Sequence, residues 1–311
     1  MKLATYTYQY AISCGIVTDE GLIDIPTATA GKLHSVKEIL IKGKSALETV
    51  FSLLKTDPER IPFDQIQLLP PIPRPGKLLA LAGNYTKHLE ETAWQDKTLN
   101  EQAHHTNPWP FLMPSTAVAA PDAEIPWPAY SDQLDHEVEL AIVIGDPAFQ
   151  VSPKQAAACI AGYTIVNDLS ARSVSFRKGR TDRSRDVYFD WLMGKWANGF
   201  LPLGPWLVTA DEIPDPQNLN LELTVNGQIR QKANTGQMTF DVFHVVSFLS
   251  HLMTLEPGDV ICTGTPHGVG VAENRFLQPG DKIDCTIENL GTLSNILGPK
   301  PAALYSGFIQ K

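Results

Sequence analysis

The sequence predicts an α+β fold in which β structure dominates, with a small N-terminal α/β domain ahead of a larger one. Three observations carry this. The chain has 311 residues, about two domains' worth. Its 24 prolines and 22 glycines imply many turns and short strands rather than long helices. Strand-like apolar runs recur along it, one of them strictly alternating: Leu219, Leu221, Leu223 and Val225, followed by the hairpin pair Asn226-Gly227.

In chain order, residues 1–25 read as short strands turning at Asp19-Glu20-Gly21. Two helices follow, each opened by the S-x-x-E pattern in which side chain and backbone cap one another: Ser35 with Glu38, and Ser45 with Glu48. The second carries the stripe Leu47, Val50, Phe51, Leu54 and stops at Asp57-Pro58. The run PPIPRP at 70–75 reads as the domain boundary, dividing the chain into 1–70 and 71–311; a rigid loop within one domain is the other reading. KLLALAG (77–83) is a strand, TKHLEETAW (86–94) a short helix, and residues 86–108 together a flap. EVELAIVIG (137–145) and GYTIVND (162–168) are strands. Ser152-Pro153 with Gln155 starts a helix between them, and 241–253 has helical periodicity.

Composition narrows the function. Lys and Arg number 25 against 34 Asp and Glu, a formal charge of −9, which argues against nucleic acid or an anionic membrane as partner. A small anionic substrate stays open, since one local cation or a bound metal reverses the sign inside a pocket. The four cysteines form no CxxC pair, which leaves no zinc knuckle or dithiol site. The N-terminus lacks a secretory pattern and no apolar run spans a bilayer, so the expectation is a cytoplasmic protein.

Glu137 and Glu139 point to one face of a strand. The spacing alone is uninformative: with 34 acids placed at random, about four acid-x-acid pairs are expected, and there are four. Context matters more. These two enter the apolar run LAIVIG, and Asp168 ends another such run. Buried carboxylates repel and lose hydration unless a cation joins them, and three oxygen ligands suit Mg²⁺, Mn²⁺ or Ca²⁺ better than zinc. Solvated strand ends are the alternative. His88 and Glu91 share a helix face, where a carboxylate can orient an imidazole as a base, although an incidental surface histidine gives the same pattern. TGTPHGVG (263–270) is Gly-rich but not a P-loop. Its backbone and Thr265 are candidates to hold a carboxylate, and Lys195 is a candidate cation. His104-His105 reads as a solvated flap pair rather than a ligand set.

Taken together, GNYTKHLEE, DHEVELAIVIG, AGYTIVNDLSAR, GKW…PLGPWLVT, LTVNGQIRQ, MTLEPGDVICTGTPHGVG and LGTLSNIL resemble the fumarylacetoacetate hydrolase family over about residues 76 to 298. The resemblance implies a mixed β-roll catalytic domain, usually dimeric. It implies Mg²⁺ or Mn²⁺ bound by Glu137, Glu139 and Asp168, His88 and Glu91 as catalytic pair, and Lys195 as the lysine of the GK motif. Arg172, Gly264 and Thr265 are implied in substrate binding. Family positions differ at His136, Met113, Asn198 and Ser173-Val174-Ser175. The implied activity is metal-dependent hydrolysis of a C–C bond in an acylpyruvate or related 1,3-diketo acid, with His88 activating water. A keto-acid decarboxylase or isomerase on the same site, acting on an oxaloacetate-like substrate, is the first alternative, and a non-catalytic metal-binding scaffold the second.

Overall fold

The computed structural model describes residues 1–56, 58–92 and 106–307. Its centre is a twelve-stranded sheet. Along the main path the order is Arg60–Ile61, Gly21–Asp24, Ala11–Thr18, Lys2–Tyr8, Leu201–Thr209, Ile160–Asn167, Val138–Ile144, Val260–Cys262, Leu78–Ala82 and Trp109–Leu112. Neighbours on this path are antiparallel except Val260–Cys262 with Leu78–Ala82.

Every residue of the Val138–Ile144 strand is buried, because both faces of the sheet are covered. Leu140, Ile142 and Ile144 join a core with the second sheet and the helices Pro153–Cys159 and Val242–Leu252. Ala141 and Val143 face the other core, shared with Val36, Ile39, Leu40 and Val50 of the two N-terminal helices. The period of two places Glu137 and Glu139 on this second side. The second sheet has five strands, ordered Gln228–Asn234, Asn220–Val225, Lys282–Ile287, Gly291–Leu297 and Glu124–Ile125. Its first hairpin turns at Asn226 and Gly227, both at positive φ (51° and 75°), as a type I′ turn requires.

Local signals resolve unevenly. Ser35 caps Val36–Lys42, accepting from Glu38 N at 3.1 Å. Ser152, Pro153 and Gln155 form the expected capping box. The Ser45–Glu48 box does not form: the helix starts at Lys44 behind Gly43, packed end to end with the preceding helix, so no free N-terminus remains at Ser45. The 86–94 helix spans Thr86–Glu91. Trp94, His104 and His105 lie outside the described residues, as does much of the 86–108 flap.

Four of the six residues of the Pro-rich run 70–75 are buried, Pro73 and Arg74 being exposed. Ile72 is fully buried, and Thr5 donates to Pro71 O at 2.9 Å. Prolines carry no N–H, so such a segment can be buried with fewer donors to satisfy. Hydrogen bonding also crosses the expected boundary, since Lys2 and Leu3 pair with Val208 and Leu207.

Candidate active site and metal centre

The antiparallel register brings the C-terminal end of Ile160–Asn167 beside the N-terminal end of Val138–Ile144, with Val138 opposite Asn167. Asp168 therefore arrives next to Glu137, to whose carbonyl its N–H donates at 2.8 Å. Glu137, Glu139 and Asp168 are all buried, and one carboxylate oxygen from each lies within 4.8 Å of the others. The sequence-predicted triad is thus assembled.

Two cations reach the same acids. Lys195 is 2% exposed, and its Nζ lies 2.7 Å from Glu137 Oε2 and 2.8 Å from Asp168 Oδ2. Arg172 donates through one Nη to Glu137 Oε1 and through Nε to Asp135 Oδ2 at 2.8 Å. Asp135, fully buried, also accepts from Gly270 N at 2.6 Å and Val271 N at 3.0 Å, so it ties Arg172 to the Gly-rich loop. Its place at the head of DHEVELAIVIG was the only sequence signal for it.

Several of the expected site residues have partners within the protein. Lys195 is paired with two of the acids, because three carboxylates packed this closely draw in the nearest buried cation. Arg172 and Gly264 likewise have partners within the protein. Gly264 N–H donates to Glu139 Oε2 at 2.7 Å, in a loop where φ is +90° and a Cβ would sit 2.8 Å from Asn84 Cβ. Thr265 Oγ1 donates to Val138 O at 3.0 Å and accepts from Gln231 Nε2 at 2.8 Å, yet Thr265 still lines the cleft. Gln231 also accepts from Val138 N at 3.0 Å and so locks the loop to the strand that follows Glu137; the sequence marked it only as the end of LTVNGQIRQ, with no role attached.

Above the acids, Asn84 fixes the start of the Thr86–Glu91 helix. Its amide donates to Phe240 O at 3.0 Å and Thr263 O at 2.8 Å, and accepts from Phe240 N at 2.8 Å. His88 Nδ1 lies 3.1 Å from Glu91 Oε1, and Glu91 accepts from Gly268 N at 2.8 and 3.0 Å. The carboxylate that orients His88 is itself latched to the Gly-rich loop. His88, Glu137, Asp168, Arg172, Lys195 and Thr265 share one cleft, walled by Leu89, Trp109, Phe111 and Trp191. The Phe111 and Trp191 rings meet edge to face at 5.0 Å.

Three buried observations fit a divalent ion. Four buried carboxyl groups, Asp135, Glu137, Glu139 and Asp168, face the buried Lys195 and the partly buried Arg172, two acids more than cations. Asp168 Oδ1 is buried with no hydrogen-bond partner. The carboxyls also diverge in acidity. Burial raises all three. At Glu137 the Lys195 and Arg172 charges prevail and hold it down to about 2. Burial and the Glu137 charge outweigh Lys195 at Asp168 and push it up to about 6. Glu139, next to both acids, is pushed well above the usual range.

A pH prediction follows. With folded values raised, Asp168 and Glu139 contribute stability to the metal-free protein at low pH, and this is lost as pH rises, for Asp168 through about 6. A bound cation reverses that penalty and competes with protons for the ligands. The rise in melting temperature on adding Mn²⁺ should therefore be larger at about pH 8 than at about pH 5. Differential scanning fluorimetry across that range checks it, and an equal rise throughout would contradict the raised carboxyls.

The family model described as fumarylacetoacetate (FAA) hydrolase C-terminal matches residues 77–297. The chain belongs to this family. The rat protein named oxaloacetate tautomerase Fahd2a, mitochondrial, is 35% identical over 277 residues, 88% of this chain and 83% of its own. The fumarylacetoacetate hydrolase structure from psychrophilic Exiguobacterium antarcticum superposes with a TM-score of 0.78 at 29% identity, covering 96% of this chain and all of that one. A maleylpyruvate hydrolase from Sphingobium sp. SYK-6, solved with manganese(II) and pyruvate, gives 0.76 at 28% identity over 97% of this chain and all of that one. The FAA hydrolase membership agrees with the β-rich mixed sheets observed. The expected cytoplasmic location is overturned: the rat relative and two bovine relatives are named mitochondrial. Among the described residues no helix is long and apolar enough to cross a membrane.

Proposed function

We propose that this FAA hydrolase family chain is a divalent-metal-dependent enzyme that interconverts the keto and enol forms of oxaloacetate or a closely similar 2-keto acid. The observation that carries the reading is the His88–Glu91 pair, latched by Gly268 over a buried carboxylate triad in one cleft. The choice of tautomerisation is supported by the name of the rat relative, and that of Mg²⁺ or Mn²⁺ by the Sphingobium complex and the oxygen-only donor set.

Glu137, Glu139 and Asp168 would hold the ion, which supplies Lewis-acid polarisation of a keto group. His88, oriented through Nδ1 by Glu91, takes a proton from the carbon beside the carbonyl and delivers it to the carbonyl oxygen to give the enol, and in the reverse sense moves it from that oxygen back to carbon. Lys195 stays protonated, because Asp168 and Glu137 outweigh the cost of its burial, and it places positive charge beside the reacting centre. Arg172 and Asp135 hold Glu137 and the Gly-rich loop in position. Trp109, Phe111 and Trp191 keep bulk water from one side of the cleft.

The second reading, hydrolysis of an acylpyruvate with His88 activating water, is favoured by the likeness to maleylpyruvate hydrolase. The two are separated by following the ultraviolet absorbance of enol-oxaloacetate and, in parallel, pyruvate release from acylpyruvates, each with Mn²⁺ or Mg²⁺ present. Faster loss of the enol without pyruvate release from acylpyruvates supports the first reading, and the reverse pattern replaces it with the second. On either reading His88→Ala removes the proton carrier, and turnover should fall by about 10²- to 10⁴-fold with Mn²⁺ affinity little changed. A His88→Ala protein with wild-type turnover would show that this helix takes no part in the chemistry.

A further inference from the structure

Thr265 lines the cleft together with His88, Glu137 and Lys195, and its hydroxyl is bonded to the buried Gln231. The Gln231 amide has its full set of partners. Its Oε1 accepts from Val138 N at 3.0 Å and lies 3.3 Å from His136 Nδ1. Its Nε2 donates to Thr265 Oγ1 at 2.8 Å and to Pro266 O at 2.9 Å. Two backbone groups fix which way round the amide sits. A backbone N–H only donates and a backbone carbonyl only accepts, so Oε1 must face Val138 and Nε2 must face Pro266; the flipped amide would set donor against donor and acceptor against acceptor. Thr265 Oγ1 therefore accepts from Nε2. Its own proton goes to Val138 O at 3.0 Å, again a group that only accepts. A hydroxyl has one proton and two lone pairs. With the proton and one lone pair committed, one lone pair remains, and among the described residues nothing donates to it. A carboxylate brings only lone pairs and would be repelled there. The group that fits is an O–H.

We propose that Thr265 is a hydrogen-bond acceptor for a substrate hydroxyl, the O–H of the enol tautomer, rather than a donor to the substrate carboxylate. The proposal rests on the tautomerisation reading above. Moving the proton from carbon to the carbonyl oxygen creates an O–H that the keto form lacks, so this hydrogen bond is made to the enol alone. A site arranged to pair with a substrate O–H discriminates against the analogue without it, because the protein's polar group is then left unpaired.

The test uses two four-carbon diacids as ligands of the Mn²⁺-loaded protein, titrated by calorimetry. Malate carries a hydroxyl on the carbon that corresponds to the keto carbon of oxaloacetate, and succinate carries hydrogen there. Both are titrated into wild type and into Thr265→Val, which keeps the side-chain shape and removes the oxygen. Comparing the malate-to-succinate ratio between the two proteins cancels every other partner of the hydroxyl, the metal included. The preference for malate should be about 3- to 10-fold larger in wild type than in Thr265→Val, the scale of one neutral hydrogen bond. Thr265→Ser keeps the acceptor and should keep the wild-type preference. Equal weakening of both diacids in Thr265→Val overturns the proposal, since Thr265 then contacts a carboxylate or only packs. Unaltered binding of both overturns it too. Should Thr265→Val not fold, wild type with malate and 2-fluorosuccinate gives the decision. Fluorine fills the place of the hydroxyl with no proton to donate, so malate must bind about threefold more tightly or better, and equal binding overturns the proposal. Wild-type protein that does not interconvert the oxaloacetate tautomers overturns the functional reading instead, and the two failures are distinguishable because the binding ratios need no turnover.

Discussion

Replacing Lys195 with methionine should leave Glu137 and Asp168 buried without their shared cation. The metal-free protein is expected to lose about 3–5 kcal/mol of stability, the usual consequence of removing one partner from a buried ion pair. Turnover should fall by about 10²-fold or more, since an oriented charge beside the reacting atoms acts mainly in the transition state. Two measurements are needed. Denaturant unfolding of the metal-free protein reports the first effect, and saturation kinetics at excess Mn²⁺ the second. Added Mn²⁺ should restore part of the stability, because the ion supplies the missing positive charge. If KM alone rises while turnover is unchanged, Lys195 only binds substrate. If stability is unaltered, the two carboxylates have taken up protons at no cost, and the ion pairs seen here contribute nothing net.

Glu139→Ala should act in two opposite directions. Metal affinity should fall by more than about 100-fold, since even groups one bond removed from a metal govern 10- to 100-fold. Activity should disappear with it. The metal-free protein, in contrast, should become more stable than wild type at neutral pH. Glu139 is the acid pushed furthest up by burial and by Asp168 and Glu137, so removing it relieves repulsion in a space without water. Calorimetric Mn²⁺ titration and metal-free melting curves give the two results independently. Wild-type Mn²⁺ affinity in this variant would remove Glu139 from the ligand set. Lowered stability without metal would mean that its hydrogen bond from Gly264 outweighs the repulsion.

The elements around the site were legible because their signals are local. The run EVELAIVIG is a strand from its composition, and a period of two puts Glu137 and Glu139 on one face whatever surrounds them. The hairpin at Asn226-Gly227 and the helix start at Ser152-Pro153 depend on a few adjacent residues. The i, i+3 spacing likewise brought His88 to Glu91 without reference to the rest of the chain.

Other features depend on partners far away in sequence. Whether PPIPRP separates domains or packs inward depends on Thr5 and on the core that receives Ile72, neither of which the run encodes. A lysine in a GK motif carries a positive charge in any fold. That Lys195 meets Glu137, 58 residues away, follows from the sheet register that places Asp168 beside Glu137. Asp135 and Gln231 are ordinary polar residues until the Gly-rich loop is laid across them, where their side chains hold the loop's N–H groups and Thr265. Sequence periodicity alone determined which side chains share a face. Only the tertiary structure decided which charges were neutralised and which hydrogen bonds were left open, because burial removes water from all the facing groups at once and each must then find its partner across the fold.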